Sequence, residues 1–140
     1  MKKFITAFLC LASMALTSCA ATVYKGEDAK AKLEKQDYKV VLLSEKEAKL
    51  LVLGINFDDV TVKSVVSAEK GKEDDHDIFL GFFFESIEEA EKFNSKNSNE
   101  NLGLMASYAN AQIGKNLTSK VGSHNNVAYV GTETTFKIVF

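Results

Sequence analysis

The pattern of hydrophobic and polar positions splits the chain into one continuous apolar run and a longer stretch of mixed periodicities. Phe4 to Leu16 is apolar except at Thr6 and Ser13. In Asp28 to Gln36 the apolar positions Ala29 and Leu33 form a sparse stripe within a Lys/Glu-rich segment, with Tyr38 just beyond. That spacing predicts an amphipathic helix. Lys39-Val40-Val41-Leu42-Leu43 is a short apolar run suited to a buried strand. Ser44-Glu45-Lys46-Glu47 then has the form of a capping box, in which a serine and a glutamate satisfy free amides at a helix start. The helix it opens runs from Glu45 to about Leu53 and stops at Gly54, a natural C-cap.

Val60 to Ala68 is β-branched and partly alternating, as a strand requires. Glu69 to Asp77 is polar and contains Gly71, and Ile78 to Phe84 is the most hydrophobic stretch after the leading run. Two strands with a polar connector predict a hairpin. Ser86-Ile87-Glu88-Glu89 repeats the capping-box pattern and opens a helix to about Asn94. The Asn/Ser tract Asn94 to Asn101 reads as a loose loop, and Leu102 to Leu117 as a helix weakened by Gly103 and Gly114. Gly122-Ser123-His124-Asn125-Asn126 is turn chemistry before a strand from Val127 to Val130. Thr132 to Phe140 fits two states: its β-branched content favours a strand, while Phe136, Val139 and Phe140 share one helical face. Hairpins interleaved with helices predict an α+β fold. The expected form is a mostly antiparallel sheet of about four strands with helices on one face, loosely ferredoxin-like, and the Ile78–Phe84 strand central.

The leading run belongs to a different kind of segment. Lys2 and Lys3 precede it, and Leu16-Thr17-Ser18-Cys19 closes it. A basic end, an apolar stretch and small residues before a cut make a secretory signal. Its 13 residues fall short of the roughly 20 needed to span a bilayer as a helix. An uncleaved anchor would have to count Thr17, Ser18, Cys19 and Thr22 as membrane residues. The tetrad Leu-Thr-Ser-Cys resembles the lipobox of bacterial lipoproteins. That resemblance implies cleavage between Ser18 and Cys19, and diacylglycerol on Cys19 as the first mature residue. The expected organisation is a signal peptide over 1–18, a short lipidated tether over 19–26 and one α+β domain over 27–140.

Composition changes the picture in three ways. Cys10 lies in the signal, so the mature chain would keep Cys19 alone, and no intramolecular disulfide could form in a compartment that permits one. Without Lys2 and Lys3, the chain's 17 cations become 15 against 19 acids, a formal charge of about −4. That balance argues against nucleic acid and against an electrostatic hold on anionic lipid. There is no Arg, Pro or Trp, and without Arg the usual bidentate grip on phosphate is missing. Seven residues, Ala20 to Gly26, separate Cys19 from the first helix and reach at most about 25 Å, so the domain is expected close to its membrane.

Within the domain, several segments recur in a recognisable order. They are Asp37-Tyr38-Lys39-Val40 after a helix, Val65-Val66-Ser67-Ala68-Glu69-Lys70, Ile78 to Phe84 leading into an acidic Glu-Glu-Ala helix, and Val127-Ala128-Tyr129-Val130-Gly131-Thr132. This order resembles a group of small lipoproteins of low-GC and gut bacteria to which no activity is attached. In that group a helix follows Gly-Thr, and the final strand often carries Trp where Val127 or a neighbour stands here.

Candidate chemistry is thin. Asp74-Asp75-His76-Asp77 is the one cluster with metal-ligand types at close spacing. It lacks the alternating pattern of a calcium loop, and a solvated turn accounts for it, so neither a metal nor another cofactor is expected. His124 lies in a turn, and catalysis would require a nucleophile and an orienting acid beside it. Glu85, Glu88, Glu89 and Glu91 complement a helix start rather than forming an acid pair. Phe79, Phe82, Phe83 and Phe84 alternate about the strand, placing Phe79 and Phe83 on one side. That side is either core or an apolar surface for a peptide or lipid. The expectation is therefore a non-enzymatic binding or accessory lipoprotein on the outer face of a bacterial membrane, bound through lipid on Cys19. Its partner would be an envelope protein or a small apolar ligand. The alternatives are an inhibitor or immunity-type lipoprotein acting on an envelope enzyme, and a metal-dependent hydrolase using His76 or His124.

Overall fold

The structure, a computed structural model, describes residues 21–51, 57, 59–96 and 98–140. The expected leader and Cys19 lie outside the described residues, as does the expected stop at Gly54. In chain order the elements are α1 (Gly26–Glu34), β1 (Lys39–Ser44), α2 (Glu45–Leu51), β2 (Val62–Lys70), a 3₁₀ turn (Glu73–Asp75) and β3 (Asp77–Phe84). They continue with α3 (Ile87–Lys96), α4 (Ser98–Gln112), β4 (Ser119–His124), β5 (Val127–Thr132) and α5 (Glu133–Val139). The strands form one antiparallel sheet in the order β1-β2-β3-β5-β4, with β3 central. The fold is α+β.

Two features differ from the expected sheet. A fifth strand, β4, lies where a turn was expected to begin. Ser119-Lys120-Val121-Gly122-Ser123-His124 has a single β-branched residue, and its strand geometry comes from pairing with β5, Val121 opposite Val130. Helices also cover both faces rather than one. On the first face Val62, Val65, Ile78, Phe82 and Val130 pack against Ala48 of α2, Phe93 of α3 and Met105 and Ala109 of α4. On the second, Val66, Phe79, Phe83, Val127 and Tyr129 pack against Ala29 and Leu33 of α1 and Val139 of α5. Strands β3 and β4 run in the same direction with β5 between them and are joined through α3 and α4, a split βαβ crossover of the kind found in ferredoxin-like sheets.

Local chemistry explains the elements. A register shift between Val62 and Ser64 brings both Val62 and Val65 to the first face, which strict alternation forbids. Ser64 thereby turns towards α1, where a Cβ on Gly26 would lie within 2.3 Å of its hydroxyl. The Ser44 cap is formed by Glu47, whose carboxylate accepts from the Ser44 N–H and hydroxyl, both at 2.8 Å. At the second cap Ser86 Oγ accepts from Glu89 N–H at 3.2 Å, while Glu89 reaches across to the Thr61 N–H at 2.7 Å. Thr132 to Phe140 resolves as a helix because Thr132 and Thr135 cap each other. The Asn94–Asn101 tract is helical apart from undescribed Asn97, carrying α3 to Lys96 and starting α4 at Ser98, and α4 ends at Gln112 rather than Leu117. β1 is an edge strand, not a buried one, and its Val41 is 56% exposed.

Candidate functional site

Phe79 and Phe83 do not form a surface. Each is 1% exposed, on the second face of the sheet, among the residues that hold α1 and α5. β3 is covered on both sides, so its aromatic residues are core, and the expected ligand surface there is corrected to packing.

The acidic cluster disperses in a similar way. Asp77 points inward, accepting from the Tyr38 hydroxyl and the Thr132 hydroxyl, each at 2.8 Å. Burial first, and then Asp77, push the Tyr38 phenol well above its usual range. Asp75 accepts from the Asn116 side-chain amide at 2.8 Å, and the Asp74 carbonyl accepts from the Asn116 N–H at 2.9 Å. His76 turns to other partners altogether. Among the described residues no three His, Cys, Asp or Glu side chains converge on a common point.

His124 lies in an aromatic nest, its ring centroid 4.7 Å from Phe140, 5.5 Å from Phe136 and 5.6 Å from Tyr24. Its Nε2 is 3.5 Å from the Tyr24 hydroxyl. Ser123 cannot serve it as a nucleophile, because consecutive strand residues face opposite ways. Ser123 lies opposite Ala128 on the first face, and His124 packs with α5 on the second. The acids near α3 also diverge: Glu85 pairs with Lys63, Glu88 with Lys92, and Glu89 binds Thr61.

Among the described residues a broad concave surface lies elsewhere, and register creates it. On the first face α2 covers the part of β1–β2 near Ser44, and α4 covers β3–β5. Between them the rows Val41–Ser67–Leu80 and Lys39–Glu69–Ile78 run towards the β2–β3 hairpin. These rows floor two adjoining cavities that share Lys39, Glu69 and His76. One, of about 480 Å³, is bounded by Asp37, Lys70, Lys72 and Glu73; the other, of about 240 Å³, by Val41, Ser67, Tyr108 and Gln112. Together they make a groove with a charged end and an aromatic wall.

His76 is the hinge between the two parts. Its Nδ1 is 2.7 Å from the Gln112 carbonyl, which can only accept, so that nitrogen carries the proton. Nε2 then faces Glu69 at 3.5 Å. Burial, and secondarily the Glu69 charge, push the Tyr108 phenol up, so it stays protonated and free to donate. Lys70 donates to the Gln36 carbonyl at 2.7 Å and lies 5.4 Å from the Tyr38 ring centroid. Ser67 shares the groove with His76, but it pairs with Leu80, four residues further along β3, a separation of about 13 Å. The chemistry of this lining suits reversible polar and aromatic contact. The alternation Lys39/Val41 and Ser67/Glu69 was the sequence signal for it, visible only once the strands were paired.

The first described residues form a strap along the opposite end of the sheet. The Tyr24 N–H donates to Asn126 Oδ1 at 2.7 Å, and Asn126 Nδ2 donates to the carbonyls of Tyr24 (2.8 Å) and Phe84 (3.0 Å). Asn125 Nδ2 donates to the Thr22 carbonyl at 2.8 Å. Among the described residues no helix is long and apolar enough to cross a membrane. No family model, curated protein or solved structure matches this chain.

Proposed function

We propose that this protein is a lipid-anchored accessory domain at the outer face of a bacterial membrane, acting by binding rather than by catalysis. The observation that carries the reading is Leu16-Thr17-Ser18-Cys19, behind a basic and apolar leader and three residues ahead of the strap. Acylation of Cys19 would supply more than one chain, which stable anchoring needs. The groove is the surface such a domain would offer.

The test is intact mass and membrane partition of the expressed full chain, compared with Cys19→Ala. A mass equal to the chain from Cys19 plus acyl groups, lost together with membrane association in the variant, supports the reading. An uncut chain, or a cut and soluble one without lipid, overturns it.

A second reading, an inhibitor-type lipoprotein acting on an envelope enzyme, is favoured by the groove wall. Leu104 and Tyr108, one helical turn apart on α4, are 47% and 39% exposed, and Val41 is exposed on β1. Such apolar positions in a polar rim suit a protein partner. One stoichiometric partner retained by the wild type and lost with Tyr108→Ala would separate this reading from the first.

A further inference from the structure

We infer that the β4–β5 turn is the membrane-facing end of the domain, held against the surface of a phospholipid bilayer, with the groove directed away from it. This rests on the lipid-anchor reading, and it goes further because a lipid on a free tether would leave the domain unoriented. The tether here is not free. Asn125 holds the Thr22 carbonyl, and Asn126, with no exposed surface, holds both backbone groups of Tyr24. Only the bonds from Cys19 to Thr22 remain, a reach of at most about 10 Å. A lipidated Cys19 would therefore draw the Asn125–Asn126 turn to within one short tether of the headgroups. Val23, 51% exposed beside the turn, adds an apolar side chain there. Nearby Lys63 and Glu85 pair at 3.4 Å, and Lys25 and Glu27 beside Val23 are likewise of opposite sign.

The direction of the groove follows from the sheet. β3 runs from Asp77, at the hairpin beside His76, to Phe84, whose carbonyl Asn126 holds. Seven residue steps separate the two ends by about 23 Å. The charged end of the groove is thus on the far side of the domain, open to a partner arriving from the aqueous side.

The chain has no Trp, so single tryptophans report position cleanly. Glu85→Trp places one at the strap end and Lys115→Trp one at the hairpin end; both side chains are exposed. Each purified acylated protein is reconstituted into phosphatidylcholine vesicles carrying a dansyl headgroup acceptor, so that Lys63, unpaired in Glu85→Trp, meets no anionic phosphatidylglycerol. Energy transfer is expected to be several-fold stronger from Glu85→Trp. Equal transfer, or stronger transfer from Lys115→Trp, overturns the orientation. If intact mass shows acyl groups in those same samples, the anchor reading survives that failure; if it shows none, both fall. A flexible insert of about twelve Gly/Ser residues between Cys19 and Ala20 adds a mean span of about 19 Å without touching the fold. It is expected to abolish the difference between reporters, and a difference that persists undiminished overturns the strap as its cause.

Discussion

Asn126 replaces a strand partner for Tyr24: its side-chain amide accepts from the Tyr24 N–H at 2.7 Å and donates to the Tyr24 carbonyl at 2.8 Å. The remaining donor goes to Phe84 on central strand β3. One buried side chain therefore ties the start of the domain to the middle of its sheet. An aliphatic residue of similar size would leave all three backbone groups without that partner.

Asn126→Ala is expected to lower stability by about 2–4 kcal/mol, since each buried hydrogen bond contributes about 1 kcal/mol and its loss leaves unmet groups behind. Asn126→Asp, which sets a carboxylate against the Tyr24 and Phe84 carbonyl oxygens at a site with no exposed surface, should cost at least as much as Ala at neutral pH. Urea unfolding followed by circular dichroism measures this. An unchanged midpoint for Asn126→Ala would mean that the strap contributes nothing to the folded state.

The aromatic core of the first face is expected to be intolerant of truncation. Phe82 has no exposed surface, and its ring centroid is 5.7 Å from Phe57 and 6.1 Å from Phe93. Phe82→Ala should cost about 3–5 kcal/mol, a large share of the roughly 5–15 kcal/mol that holds a domain folded. Val41→Ser, on the exposed side of edge strand β1, should change stability by less than about 0.5 kcal/mol. Thermal melts of the two variants side by side check the contrast.

Tyr38 makes stability depend on alkaline pH. Its folded pKa is raised by burial and by Asp77, so the folded state keeps a proton that the unfolded state releases near pH 10. Stability from this group is complete below about pH 10 and is lost as pH rises towards the folded value. Tyr38→Phe lacks the proton and leaves Asp77 without one donor. At pH 8 it should be the less stable protein by about 1–3 kcal/mol. That gap should narrow above about pH 10. Unfolding midpoints measured from pH 8 to 11 decide it, and a gap that stays constant would contradict the assignment.

Two glycines should respond with opposite signs. A Cβ on Gly103 would meet nothing within 4 Å on helix α4, so Gly103→Ala should stabilise by about 0.5–1 kcal/mol. A Cβ on Gly114 would lie 2.3 Å from the Asp74 backbone, where Gly114 N–H also donates to the His76 carbonyl at 2.9 Å. Gly114→Ala should destabilise and disturb the hairpin end of the groove. Denaturation midpoints report the first effect, and amide exchange at Asp75 and His76 the second.

How much of this was legible depended on the kind of signal. Both capping serines, the Ile78–Phe84 strand and its hairpin with β2 follow from local chemistry, and local chemistry is written in consecutive residues. β4 was not legible because Ser119 to His124 carries too few apolar residues to announce a strand, and its geometry is supplied by β5. The Asn94–Asn101 tract misled in the opposite direction: low helix propensity was overridden as α3 and α4 packed Phe93 and Met105 onto the sheet. Phe79 and Phe83 left two states open, since alternation states which residues share a side but not what lies over that side. His76 and Glu69 are seven residues apart in sequence and meet only because the hairpin folds them together.

By itself the sequence determined the α+β class, the central aromatic strand and the caps, because propensity, periodicity and short motifs act over a few residues. Tertiary structure alone decided that a second helical layer closes over Phe79 and Phe83, that Asn126 captures Tyr24 from 102 positions away, and that a groove opens between α2 and α4. Those outcomes depend on which surfaces meet once the chain has closed on itself. Burial and hydrogen bonding between distant segments set them, and neither quantity is local.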